Sequence, residues 1–338
     1  MREVSEAVSM SIRFPLTREL NRRSDTSDVA TLAIPKVGII RNPRSRMNRV
    51  HPRPLDLANA DIVKREPASP EDLLAALGHF AGLGVDLIIV DGGDGTVREV
   101  LTAASKVYSG NMPQVALLPS GKTNALALDL GIPADWSLQD AVRAYRAGNT
   151  LARTPLTVSR LGVVHDEKHG FILGAGAFTR ATALAQRAHR KGWFNGGAIM
   201  MAMIGAIGQT IFGGAQNRWR RGERVMVSRD GDDIRSLNLY LLLASTLTRL
   251  PLGLKPFGPA REGLKLLAIE APPRGIARYL LPLLRGKQTA GMERAGFIQR
   301  DAERLYLSMP GAYILDGERY PAGKLLIGRG DPINFVVP

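Results

Sequence analysis

The residues of this chain best suited to chemistry stand in one turn, Asp91-Gly92-Gly93-Asp94-Gly95-Thr96. An apolar run from Asp86 to Val90 precedes the turn and reads as a buried strand. A helical pattern follows it from Val97 to Ser105. Gly92, Gly93 and Gly95 let the backbone approach an anion where a Cβ would collide. The helix start adds N–H groups and the positive end of a dipole. Asp94 offers the hard oxygen that phosphate-bound magnesium takes. Strand, acidic turn and helix together predict a nucleotide-phosphate site. A Gly-Asp-Gly turn alone would predict only a tight bend. Its position after a strand, with the carboxylate between glycines, favours phosphate chemistry. The sequence has neither the lysine-bearing phosphate loop nor the spaced-glycine dinucleotide fingerprint.

A second turn of the same kind follows the strand that ends at Leu118. Pro119-Ser120-Gly121-Lys122-Thr123-Asn124 combines a glycine, hydroxyls, an amide and a lysine. Two such turns on successive strand ends face one cleft. Far along the chain, Ala312-Tyr313-Ile314-Leu315-Asp316-Gly317-Glu318-Arg319 carries an Asp-Gly pair, a strong hairpin signal, followed by the carboxylate of Glu318.

The elements that must position these turns fall into two groups. From Pro35 to Gly148, strand-like runs at Lys36–Arg41, Ala60–Val63, Asp86–Val90 and Gln114–Leu118 alternate with helices expected at Pro70–Leu83, Asn124–Leu130 and Ser137–Ala147. Ser69 reads as an N-cap, with Pro70 at the first helical position. The alternation predicts an open, mostly parallel α/β sheet, in which ligands bind beyond the carboxyl ends of the strands. After Leu151, strands are expected at Thr157–Val164, Gly170–Gly174, Arg224–Val227, Leu237–Leu243, Gly263–Ile269, Arg304–Ser308, Ala312–Leu315 and Ile333–Val337, separated by turn signals. A helix is expected over Phe178–Arg190. The expected organisation is a disordered tail over 1–34, an α/β domain over 35–150, and a β-rich domain of sandwich type over 151–338.

A length of 338 residues fits two domains. With no cysteine, disulfides and thiolate metal sites are excluded, and a reducing cytoplasm is compatible. The net charge of +14 favours anionic partners. The basic residues cluster at Arg41, Arg44, Arg46, Arg49 and Arg53, at Arg180, Arg187, Arg190 and Lys191, and at Arg218, Arg220, Arg221 and Arg224. No aromatic RNA-binding signature accompanies them, so nucleic acid ranks below a membrane surface. The uncharged, Met-rich stretch 192–217 is long enough to span a bilayer, but its glycines, Asn195 and Gln209 dilute it. It is expected to lie against a greasy cleft or the membrane interface. No signal peptide is visible.

Taken together, these motifs resemble the diacylglycerol kinase catalytic-domain family, in its bacterial soluble lipid-kinase branch. The resemblance starts at Ile40-Arg41-Asn42-Pro43-Arg44-Ser45. It continues through Gly92-Gly93-Asp94-Gly95-Thr96 with Glu99 and through Pro119–Asn124, and it ends at Asp316-Gly317-Glu318. It implies an α/β nucleotide-binding domain of the NAD-kinase and phosphofructokinase type followed by a β-sandwich. The implied activity is ATP-dependent phosphorylation of a lipid hydroxyl. By the resemblance, Asn42, Ser45, Gly92, Gly93, Gly95, Thr96, Gly121, Lys122, Thr123 and Asn124 would hold ATP. Asp94 would organise Mg2+, and Glu318 would take the hydroxyl proton. The implied partners are a lipid substrate and the anionic inner face of a membrane, touched peripherally from the cytoplasm. The chain departs from the family pattern at Arg46, Lys122, Ala125 and Leu128. Pro259-Ala260-Arg261-Glu262-Gly263 resembles a segment around which some members bind a structural magnesium. An NAD kinase shares the Gly-Gly-Asp-Gly-Thr turn but needs a second signature that is not found here. A catalytically weak, membrane-binding regulatory protein that kept the nucleotide fold is the alternative of a different class.

Overall fold

Apolar runs buried on both faces need helices packed over them, and the first half of the chain supplies the two in alternation. A computed structural model describes residues 35–50, 53–55, 57, 60–190 and 220–338. Strands β1 (Lys36–Arg41), β2 (Asp61–Arg65), β3 (Leu87–Gly92) and β4 (Gln114–Pro119) run parallel. The intervening helices are α1 (Arg46–Val50), α2 (Pro70–Leu83) and α3 (Asp94–Tyr108), and α4 (Ala125–Asp129) and α5 (Leu138–Arg146) follow β4. Every residue of β3 is buried, as its unbroken apolar run requires. Ser69 caps α2 and Ser137 caps α5, each in a reciprocal capping box with an aspartate three residues on.

The register sets the site. Arg41 lies beside Asp91, and Gly92 lies beside Pro119. The turns after β1, β3 and β4 therefore leave the sheet at the same carboxyl edge.

The remaining strands are β5 (Thr150–Arg153), β6 (Leu156–Arg160), β7 (Glu167–Gly170), β8 (Ile172–Gly176), β9 (Glu223–Arg229), β10 (Arg235–Ser245), β11 (Leu264–Glu270), β12 (Phe297–Ala302), β13 (Arg304–Leu315), β14 (Glu318–Arg329) and β15 (Ile333–Val336). The first sheet has the order β2-β1-β3-β4-β15-β5. Both β5 and β15 therefore belong to it, although the division expected at residue 150 assigned them to the second domain. Phe335 pairs with Val115 of β4 on one side and Leu151 of β5 on the other.

The second sheet is antiparallel, in the order β12-β11-β10-β8-β13-β14-β6-β7, with β9 pairing β10 and β13. β8 and β9 share one row between the long strands β10 and β13: Gly176 faces Leu241, and Glu223 faces Leu239. Helix α6 (Ala177–Arg190) departs from the gap between them. Arg304–Ser308 and Ala312–Leu315, expected as two strands, form one strand with a register shift between Met309 and Ala312. Helices Ile276–Leu284 and Ala290–Arg294 pack with Phe257, Leu267 and Phe297 in a small separate core.

The tail 1–34, the stretch 192–217, and Arg187, Arg190, Lys191 and Arg218 lie outside the described residues or side chains. Among the described residues, no helix is long and apolar enough to cross a membrane.

Candidate active site at the seam of the two sheets

Three turns from the first sheet form one backbone platform. A Cβ on Gly93 would stand 2.8 Å from Gly121 Cα, and one on Gly121 would stand 2.6 Å from Gly93 Cα. The two turns thus touch main chain to main chain, and glycine is required at both positions. Ser120 donates its N–H to Gly92 O at 2.9 Å and its hydroxyl to Asp91 Oδ1 at 2.6 Å. Asn124 sits in the left-handed region (φ 49°) and accepts the Gly121 N–H on Oδ1 at 2.9 Å. From β1, Asn42 donates Nδ2 to Thr96 Oγ1 at 2.9 Å, and Met47 donates its N–H to Ser120 O at 3.0 Å. Ser45 donates its N–H to Asn42 O at 3.1 Å. Asn42, Ser45, Gly92, Gly93, Gly95, Thr96, Gly121 and Asn124 are thereby gathered at one edge. Lys122 and Thr123 are on the same turn and exposed.

Helix α3 starts differently from α2 and α5. Its N-cap is Gly93, and no side chain caps it. In α2 and α5 a serine occupies that role. The first turn of a 15-residue helix is left to an external acceptor, the arrangement that binds phosphate.

Asp94 lies in that first turn and reaches the start of α4, where Leu126 N donates to its Oδ1 at 3.4 Å. Burial raises its pKa, while the N–H groups of Ala125, Leu126 and Asn124 pull it down.

The second sheet contributes Asp316, at the first position of the two-residue β13–β14 turn. Both turn residues have positive φ, 45° at Asp316 and 83° at Gly317, as a type I′ hairpin needs. The Asp316 carboxylate accepts the N–H of Phe171 at 3.0 Å and of Ile172 at 2.8 Å. Its pKa is pushed up to about 7, first by removal from water and also by the negative charge of Asp94. The charge of one carboxylate is thus felt at the other. Buried Arg98 of α3 crosses the same seam: Nη1 donates to Leu315 O at 3.2 Å, and its guanidinium lies 5.5 Å from the Tyr320 ring centre.

Glu318 begins β14 and is exposed, on the side of Tyr320, whose hydroxyl feels its charge. Among the described residues, no group of three or more His, Asp or Glu side chains converges as a metal cage. Nucleotide-bound magnesium needs only one or two carboxylates besides phosphate oxygens and water. Asp94, in the first turn of α3, offers one such carboxylate.

Several participants were not among the residues expected from sequence. Asp91 orients Ser120 and meets Arg41 Nε at 3.5 Å. Arg53 donates to Pro119 O at 3.0 Å and to Ala134 O at 2.9 Å, so it braces the second turn. In the first basic cluster, Arg41 and Arg53 are therefore engaged in the protein, whereas Arg44, Arg46 and Arg49 are exposed. Asp316 carried a usable signal, the Asp-Gly turn itself; Arg98 carried none.

Residues 36–156 match the family Diacylglycerol kinase catalytic domain. The "Probable lipid kinase YegS-like" protein of Citrobacter koseri is 41% identical over 70 residues, which are 21% of this chain and 23% of the relative. The "Probable lipid kinase YegS" of Salmonella arizonae is 42% identical over 69 residues, 20% and 22% of the two chains. The match thus spans under a quarter of these relatives' length. The crystal structure of a diacylglycerol kinase from Bacillus anthracis str. Sterne superposes with a TM-score of 0.59 at 15% identity, covering 90% of this chain and 98% of that one. At that identity the likeness is one of fold, in both the parallel sheet and the antiparallel sheet after it.

Proposed function

We propose that this chain, whose residues 36–156 match the family Diacylglycerol kinase catalytic domain, is a lipid kinase transferring the γ-phosphoryl group of ATP to a lipid hydroxyl. One observation carries the reading: an uncapped helix start bearing Asp94 stands beside a platform where two glycine turns touch main chain to main chain. In this reading Asn42, Ser45, Gly92, Gly93, Gly95, Thr96, Gly121, Lys122, Thr123 and Asn124 cradle ATP. The N–H groups at the uncapped start of α3, with the helix dipole, hold the phosphates. Asp94 would hold Mg2+, which would offset charge on the phosphates. Arg98 keeps the hairpin tip in place through Leu315 O. Glu318, exposed at the mouth, meets the acceptor and takes the hydroxyl proton. The acceptor is an amphiphile whose hydroxyl enters from the open side.

The test is transfer of label from γ-labelled ATP into a total lipid extract, with the product identified by mass spectrometry. Labelled phospholipid is expected from the wild type. Asp94→Asn should abolish transfer while leaving the fold intact, since an amide holds magnesium poorly. Turnover at the wild-type rate by a folded Asn variant would overturn the reading, as would label appearing only in a dinucleotide.

A further inference from the structure

We propose that the side chain of Lys265 is a tethered cation standing where a bound metal ion would otherwise organise the β10–β11 loop, so that this loop folds without any divalent ion. Lys265 lies on β11 and is 2% exposed. Its Nζ donates to Thr246 O at 3.2 Å, Arg261 O at 2.9 Å and Gly263 O at 3.0 Å. An ammonium has three protons, and three main-chain carbonyls take them. Carbonyl oxygens converging from a loop on one point are the donor set a hard cation takes.

Three more carbonyls of the loop are satisfied by side chains. Arg261 Nη1 donates to Phe257 O at 2.7 Å and to Pro259 O at 3.1 Å. Gln299 Nε2 donates to Pro256 O at 2.6 Å. Carbonyls at 246, 256, 257, 259, 261 and 263 therefore all end on side chains of this chain.

The structural magnesium that the family resemblance implied around Pro259–Gly263 does not fit these residues. The carboxylates at hand are engaged: Asp301 by Arg261 Nε at 2.9 Å and Nη2 at 2.5 Å, and Asp129 by Arg153 Nε and Thr248 Oγ1, each at 2.6 Å. Glu262 is exposed. A divalent ion would also meet the positive charge already seated at the carbonyls.

The charge is present at neutral pH: burial and the neighbouring Arg261 lower the Lys265 pKa, but only to about 8. Burying an ammonium lowers stability relative to an apolar residue, but removing it would strand three carbonyls. Its role is positional. The loop lines a cavity of about 360 Å3 together with Leu128 of α4. Where it leaves β10, Ser245 Oγ and Thr246 N donate to Phe171 O at 2.8 and 3.3 Å. The N–H of the same Phe171 is held by Asp316. A single residue thus links the cation-held loop to the seam carboxylates.

The test is hydrogen exchange over 246–263 in the full chain, read in excess EDTA and then in millimolar magnesium or calcium. Wild-type protection is expected to be the same in all three. Lys265→Met keeps the stem and removes the charge, and should speed exchange in this loop by about tenfold or more while β1 and β3 keep their protection. Loss of wild-type protection in EDTA would overturn the proposal, as would a Met variant protected like the wild type. If the Met variant does not fold, two measurements that do not need it decide. EDTA-insensitive protection, with no heat of calcium or magnesium binding other than at the Asp94 site (absent in Asp94→Asn), supports the tethered cation. Stoichiometric binding that persists in Asp94→Asn defeats it.

Discussion

At the scale of single residues, two carboxylates two positions apart have different environments. Asp316 is held by two N–H groups and raised to about pH 7, from 3.8 for a free side chain. Between those values the folded protein keeps a proton that the unfolded chain has lost, so native stability falls as pH rises through the window. Denaturant unfolding of the metal-free protein should therefore show stability decreasing from pH 5 to pH 8. Asp316→Asn should remove roughly 1–3 kcal/mol of that decrease. Parallel curves for the two proteins would mean the carboxyl is ionised throughout. Glu318 is exposed and free to meet an incoming hydroxyl. Replacing it with Gln should lower kcat roughly 10²–10⁴-fold with little change in KM for ATP. A rate within a few-fold of wild type would leave it an ordinary hairpin residue.

At the scale of elements, the platform depends on two turns meeting without side chains. An alanine at Gly121 would place its Cβ 2.6 Å from Gly93 Cα and 2.7 Å from Asn124 Oδ1. Gly121→Ala should lower stability by about 1–3 kcal/mol and weaken nucleotide binding, as read by unfolding and by nucleotide titration. Full nucleotide affinity in that variant would show the turns can separate at no cost to the site. This platform was legible in the sequence because strand, turn and helix are adjacent along the chain. Helix α2 and its Ser69 cap were legible for the same reason, over the expected span Pro70–Leu83. Strand β14 was not: Pro321 and Gly323 interrupt its alternation, and the long partner β13 supplies the missing specification. Asp316 showed only as a turn residue, because its partners Phe171 and Ile172 lie 145 and 144 positions away. The allegiance of β15 was equally hidden, since a short apolar run carries no mark of which sheet it will join.

At the scale of the whole molecule, charge is the dominant property. The net charge of +14 and the exposed Arg44, Arg46 and Arg49 near the site favour an anionic surface. Binding to phosphatidylglycerol-containing vesicles should weaken steeply with salt, each engaged basic residue contributing about 1 kcal/mol at low ionic strength. Equal sedimentation with neutral and anionic vesicles at low salt would remove electrostatics as the anchor. The two sheets are also locked by groups that neither could satisfy alone. Asp129 of α4 accepts Thr248 Oγ1 at 2.6 Å, and Arg98 reaches Leu315 O.

The return of β15 to the first sheet has a consequence for synthesis. The strand bridging β4 and β5 is encoded after every strand of the second sheet. While the ribosome is still making residues 156–329, the parallel sheet stands unfinished, with the edge of β4 unpaired on the side where β15 will dock. The antiparallel sheet can close during that interval, but the phosphate platform beside β4 rests on an incomplete scaffold until Ile333–Val336 emerges. A nascent chain stalled just short of that point would hold every proposed nucleotide contact in its sequence and lack the strand that keeps them together.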